Sequence, residues 1–242
     1  PLMVEKSEVE MKNEVTEVTL DKNASYLVVE GFSEMGQEVA RWLAQRGARQ
    51  IILTTSSSHR SKFVTAMLKD LEESSEVRIV GADVTSLAGV ERIFAEIKDF
   101  PPLKGIFNVA NLSSDEFPGK LSALAISSQH LHDVSQKMGV ELDYFVMFTS
   151  VAESISVLDL NTIAANSAYI SCLSHQRLQQ GLPSMSLQMG RVQGVNIDNE
   201  IDRAQENHGM KSLHFHEYLK ILGHLLQSDY PPPVITVSYQ VG

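Results

Sequence analysis

The feature that most restricts this chain is a regular alternation of short apolar runs with amphipathic stretches. Tyr26-Leu27-Val28-Val29 is an unbroken apolar run, as a parallel strand buried on both faces requires. Met35, Val39 and Leu43 then recur at helical spacing until Gly47, a residue suited to the turn that closes a helix. The pattern repeats, with strands predicted near residues 50–54, 77–81, 104–109, 143–149, 184–190 and 234–238 and helices near 60–73, 86–98, 120–138, 163–180 and 215–227. Such alternation builds an α/β fold, a doubly wound parallel sheet with helices on both faces. Residues 1–24 scatter Val4, Val9, Val15 and Val18 among Glu and Lys and read as a polar lead-in, linker or edge strand. The folded domain is therefore expected over residues 25–242.

The first strand-to-helix turn reads Val29-Glu30-Gly31-Phe32-Ser33-Glu34-Met35-Gly36. In this setting glycines let backbone amides approach a dinucleotide pyrophosphate, which rests on the positive end of the helix. Glu30 and Glu34 put carboxylates in that place. Two like charges about 4 Å apart repel by ~1 kcal/mol in water and by several times that in a partly dry cleft. Gly31 and Gly36 need no ligand to explain them, the first following from turn geometry and the second from close packing of helix on strand. A carboxylate in such a turn also has a ligand-free role, as partner of the helix dipole on a solvated surface.

A net charge of −10 denies the chain the Lys/Arg surface that nucleic acid or an anionic membrane demands, so neither is an expected partner. The single cysteine, Cys172, excludes an internal disulfide, fits a reducing, cytoplasmic setting, and reads as a buried, inert thiol. Met35, Met67, Met138, Met147 and Met189 lie in apolar patterns and read as core. His214 and His216, with His208 and His224 nearby, raise a metal hypothesis, but no Cys accompanies them and a helix begins beside them. Capping or surface roles are expected there, and no metal. Charged residues from Glu5 to Lys22 interrupt the lead-in, so no signal peptide is expected, and no apolar run reaches transmembrane length. The opening Pro1 suggests a segment of something longer.

Several stretches carry a family resemblance: Ala40-Arg41-Trp42-Leu43 with Arg46-Gly47-Ala48-Arg49, Ala82-Asp83-Val84-Thr85, Pro102 to Asn108, Asp143 to Val151, and Gly181-Leu182-Pro183. Across roughly residues 25 to 240 the chain resembles the ketoreductase domain of type I polyketide synthases and animal-type fatty acid synthases, a branch of the short-chain dehydrogenase/reductase family. The resemblance implies a Rossmann-like sheet of about seven strands, NADPH, a substrate thioester on an acyl carrier protein, neighbouring synthase domains, and a Ser, Tyr, Lys and Asn constellation.

Carried over by position, the family's serine falls on Ser150, while its tyrosine, 13 residues later, falls on Ile163, or on Thr162 if the alignment runs through Ala164-Ala165-Asn166. Neither replaces a phenol as the acid that protonates an alkoxide. The lysine falls near Leu124, with Lys120 and Lys137 out of register, and the asparagine falls on Ser167 or, under the shifted alignment, on Asn166. The arginine that grips the 2′-phosphate is replaced by Ser56, with Arg60 too far along, and the glycine of the Asn-Ala-Gly turn by Asn111. Gly31, Gly36, Asp83 and Val84 remain as remnant cofactor positions. These departures together imply a reductase-inactive module with no bound cofactor, kept as a scaffold or as a docking module for a carrier protein. The alternatives are a repurposed catalyst performing epimerisation, dehydration or cyclisation, and an atypical NADPH-dependent reductase with a displaced acid. Tyr169 is the nearby phenol, but six residues past Ile163 it should point elsewhere.

Overall fold

The computed structural model of the chain describes residues 18–56, 61–110, 122–153, 161–195, 199–207, 209–227, 231–237 and 239–240. Seven strands form one parallel sheet in the order β10-β6-β5-β4-β1-β2-β3. They are β1 (Ser25–Val29), β2 (Gln50–Thr55), β3 (Glu76–Gly81), β4 (Leu103–Asn108), β5 (Tyr144–Ser150), β6 (Met185–Met189) and β10 (Val234–Val237). The main helices are α1 (Glu34–Gln45), α2 (Lys62–Glu72), α3 (Leu87–Glu96), α4 (Ala123–Lys137), α5 (Asn161–Gln179) and α7 (Phe215–Leu225). The predicted doubly wound α/β architecture is therefore the one observed.

The centre of the sheet is apolar because both faces are covered. On one side α1, α2 and α7 contribute Val39, Trp42, Met67, Tyr218 and Leu222 to a cluster that includes Val28, Leu53 and Phe107. On the other, α3, α4 and α5 contribute Ile93, Leu131, Ile170 and Leu173 against Leu27, Ile106, Phe145 and Met147. Complete burial of β1, all five residues of it, accounts for its unbroken apolar run. Residues 1–17 of the lead-in lie outside the described residues, whereas Val18 and Leu20 pack with Trp42 in the first cluster. Strand order reverses between β1 and β4, and ligands of open α/β sheets bind in the crevice beyond the carboxyl ends of the strands at such a point.

Two expectations about burial fail. Cys172 is exposed: α5 buries Asn166, Ser167, Ile170, Ser171, Leu173, Ser174 and Arg177, and residue 172 falls on the opposite side of the helix. Met138 is 50% exposed because it caps the end of α4, past the last turn that faces the core. Met67, Met147 and Met189 are core residues as expected, and Met35 packs against the core from a half-buried position.

Small elements complete the chain: β7 (Val192–Gln193) pairs with β9 (Leu213–His214), and β8 (Met210–Lys211) pairs with β11 (Tyr239–Gln240). Between β7 and β8 lies α6 (Asn199–Asn207), a helix absent from the expectation because its sequence, NEIDRAQEN, holds only two apolar residues, too few to announce a helix. No described helix is long and apolar enough to cross a membrane.

Candidate active site

The turn after β1 has glycine geometry at a residue that is not glycine. Glu30 adopts φ 54°, the left-handed region. Gly31 is absent from that region, so its expected explanation by turn geometry gives way to another: a Cβ there would lie 2.9 Å from the Cβ of Leu53. At Gly36 a Cβ would lie 2.3 Å from the carbonyl oxygen of Glu30, so the helix must start with a bare backbone to pack on the turn. Both glycines are thus required by packing.

The helix that follows is capped from within. Ser33 is the N-cap of α1, and its Oγ accepts the amide of Gly36 at 3.0 Å. Gln37 donates its amide to the carbonyl of Ser33 at 2.9 Å and its side-chain Nε2 to the carbonyl of Phe32 at 3.1 Å. The amide of Gly36, one of the donors that could face an anion at a helix start, is thus taken up by the protein itself. Glu34, exposed in the first turn, is the expected helix-dipole partner. Glu30 bends across to the end of β2. Its amide donates to Thr54 Oγ1 at 3.1 Å, and its carboxylate accepts hydrogen bonds from the hydroxyl and amide of Ser56. Burial first, and the nearby Asp83 charge in addition, hold the Glu30 carboxyl above the usual carboxylate range.

A pocket of about 650 Å³ opens beside this bond, lined by Phe32, Ser56, Gly81, Asp83, Gly89 and Arg92 among others. Arg92 of α3 lines the same pocket, a neighbourhood that no sequence signal at the second strand could reveal. Its Nε is held by Glu96 at 2.6 Å. Asp83 has a structural occupation, its Oδ1 accepting the amide of Thr85 at 2.9 Å and its hydroxyl at 2.6 Å. Those bonds lower its pKa. Val84 is buried in the core. Asn111, Lys120, Arg60 and His208 lie outside the described residues.

The surroundings of the serine mix buried hydrocarbon with polar groups that are occupied elsewhere. Ser150 ends β5, is 5% exposed, and accepts the amide of Ala152 at 3.2 Å. Ile163 and Leu124 are buried side chains of α5 and α4. Asn166 is occupied in tying those two helices together, its Oδ1 accepting the amide of Ser122 at 2.7 Å and its Nδ2 donating to the carbonyl of Thr162 at 2.8 Å. Ser167 is fully buried and its hydroxyl has no hydrogen-bond partner. The phenol of Tyr169 donates to Gln129 of α4 at 2.7 Å, and Lys137 pairs with Glu91 at 2.8 Å on an exposed surface. Among the described residues, then, neither a phenol nor a lysine is hydrogen-bonded to Ser150. His214 and His216 stack at 5.5 Å where α7 begins, the amide of His214 donating to Glu217, and no group of three metal-ligating side chains exists among the described residues.

A family profile described as KR domain matches residues 24–194. The chain belongs to that family. Among its relatives, the highly reducing polyketide synthase azaB of Aspergillus niger is 28% identical over 229 residues, which span 90% of this chain and 9% of that protein. The lovastatin diketide synthase mokB of Monascus pilosus is 26% identical over 242 residues, 91% of this chain and 9% of that protein. The KR chain therefore corresponds to a small part of each curated relative. Among solved structures, an A-type ketoreductase from a modular polyketide synthase superposes with a TM-score of 0.80 at 24% identity, covering 90% of this chain and 48% of that one. Levodione reductase superposes with a TM-score of 0.66 at 18% identity, covering 91% of this chain and 97% of the enzyme. The KR chain thus shares the fold of these structures.

Proposed function

We propose that this KR domain is a reductase-inactive module of a polyketide synthase, kept for the span and packing it gives its neighbours and for docking a carrier protein. The observation that carries the reading is Ile163. Where the family's proton donor falls, the chain has a buried hydrocarbon, and at the lysine position it has the fully buried Leu124. Hydride transfer to a ketone leaves an alkoxide that must be protonated, and neither side chain has a proton to give. The cofactor end supports the same reading. The amide of Gly36 is capped by Ser33, and the Glu30 carboxylate takes up Ser56. Those residues do not fit a dinucleotide diphosphate. A folded but inert module still matters in a multidomain chain, since removing it changes linker spans and the effective concentrations of the domains it joins. The relatives favour a polyketide synthase over a fatty acid synthase, and a cytoplasmic setting goes with that reading.

The test is direct. NADPH titrated into the 242-residue chain should give no binding signal up to about millimolar concentration, and a β-ketoacyl thioester should not be reduced; micromolar binding, about −8 kcal/mol, refutes the reading. Ile163→Tyr alone should stay inactive. Combined with Glu30→Gly, Glu34→Gly and Ser56→Arg, it should regain cofactor binding before turnover.

A further inference from the structure

Near the amino ends of β5 and β6, at the far end of the sheet from Ser150, α4 and α5 meet around a buried cation. Arg177 of α5 is 1% exposed. Its guanidinium carbon lies 3.8 Å from the centroid of Phe145, its Nε donates to the carbonyl of Pro183 at 3.1 Å, and its Nη1 donates to Nδ1 of His132 at 2.9 Å. A guanidinium has donors only, so this contact fixes His132 as the neutral tautomer, with its proton on Nε2 and a lone pair on Nδ1. His132 is 4% exposed on α4. Beside it Gln136 places Nε2 3.2 and 3.3 Å from the two ring nitrogens and donates to Gln180 of the α5 end at 2.8 Å. The charged groups that reach the ring are Arg177 from α5 and the exposed Asp133 of its own helix, and the first outweighs the second. From β5 comes only the uncharged ring of Phe145.

A second proton on this imidazole has one place to go, the Nδ1 lone pair that Arg177 already uses. Protonation therefore removes the acceptor and sets two cations against each other across 2.9 Å, with no carboxylate paired to Arg177 among the described residues. We infer that His132 and Arg177 form a proton-operated latch between α4 and α5. The neutral ring holds the seam closed. Uptake of one proton opens its lower end, residues 132–137 of α4 and 177–182 at the turn into β6, ahead of global unfolding. The cleft end of the seam stays fastened, because Asn166 with Ser122 and Tyr169 with Gln129 carry no group that changes charge between about pH 5 and 7. The inference concerns the seam and holds whether or not the domain binds a cofactor.

Amide hydrogen exchange on the 242-residue chain, read as protection factors so that the intrinsic pH dependence divides out, tests it. An opening that takes up one proton lowers protection roughly tenfold per pH unit below about pH 6.5. That fall is expected in residues 132–137 and 177–182, and low urea should hardly change it, because a local opening exposes little surface. Amides of β1 should keep higher protection that drops with urea. His132→Gln, whose side-chain carbonyl accepts from Arg177 at any pH, should remove the pH dependence of the two segments. NMR of the wild-type ring should show the Nε2–H tautomer, and Arg177→Met should raise the pH at which the ring titrates. Protection in the two segments that is the same at pH 7 and 5 overturns the inference, as does protection that matches β1 in level and urea dependence. So does an Nδ1–H tautomer, or a pH dependence that survives in His132→Gln. Should Arg177→Met fail to fold, the wild-type exchange and tautomer decide.

Discussion

Replacing Phe145 by alanine should cost more than the loss of an ordinary core phenylalanine. Phe145 is the second residue of β5, is 1% exposed, and packs in one cluster with Leu131, Ile106 and Met147. Truncating a phenylalanine so placed costs about 3 to 5 kcal/mol through lost transfer energy and the cavity left behind. The ring has a second duty. The guanidinium carbon of Arg177 sits 3.8 Å from its centroid, and Arg177 is itself 1% exposed. Among the described residues no carboxylate pairs with that arginine. Its Nε donates to the carbonyl of Pro183 at 3.1 Å and its Nη1 to His132 Nδ1 at 2.9 Å, and burial lowers its pKa to about 10. A desolvated cation–π contact adds ~1 to 2 kcal/mol, so Phe145→Ala should cost about 4 to 7 kcal/mol. That approaches the whole stability of a domain, about 5 to 15 kcal/mol. Urea unfolding measures it, and Phe145→Leu, which keeps most of the volume and loses the π face, separates the two contributions. In a double-mutant cycle with Arg177→Met, Phe145→Leu should show a coupling of about 1 to 2 kcal/mol. A cost below about 2 kcal/mol for Phe145→Ala, or no coupling in the cycle, would refute the reasoning.

Three further outcomes follow from the same geometry. Glu30→Gly should raise stability by ~0.5 to 1 kcal/mol near neutral pH, because it relieves a left-handed backbone and removes a half-buried carboxylate. Since the Glu30 carboxyl is held above its usual range, that gain should shrink as acid protonates it, and thermal melts across pH test this. His132 is held below the ordinary imidazole value by burial and by Arg177, so the folded state favours the neutral ring. Its contribution should be complete above about pH 6.5 and fall away as pH drops below it, since the unfolded chain then binds the proton more readily. The urea midpoint should show this dependence, and His132→Gln should flatten it. Ser150→Ala should cost about 1 kcal/mol by leaving the amide of Ala152 without its acceptor, and calorimetric melting checks that figure.

The sheet and its main helices were legible because their signals are periodic and long. Tyr26 to Val29 and Phe145 to Phe148 are apolar at every position, and the helices between strands bury one face, so tertiary packing agrees with the local pattern. Helix α6 was not legible, for its contacts are an arginine in one segment and carboxylates in another, which leave no period. Side chains at element ends were misjudged for a related reason. Met138 looks like core in sequence, and only the end of α4 turns it outward. At the site the residues that depart from the resemblance could be named from the sequence. Their consequences were not: that Ser33 caps its own helix, that Glu30 takes up Ser56, that Arg92 reaches the same pocket as Ser56, and that Gln205 meets Ser150 are facts of three dimensions.

On the reading proposed above, the positions that keep family character and those that depart from it differ in one physical respect. Gly31 and Gly36 have no room for a Cβ, because Leu53 on β2 and the carbonyl of Glu30 stand in the way. Replacing either would disturb the packing of α1 against the sheet whatever the cleft binds. Glu30, Ser33, Glu34 and Ser56 lie on the half-exposed or exposed rim above those glycines, where a new side chain meets water and neighbouring hydrogen-bond partners. A ligand is what would make small residues necessary there. Ile163 and Leu124 fit the same division, since each replaces a polar group by hydrocarbon at a buried place, which the core accepts without an unsatisfied atom. The fold thus rests on contacts the cleft does not share. Its likeness to active reductases is a statement about packing, and activity has to be argued from Ser150, Ile163 and the turn at Glu30.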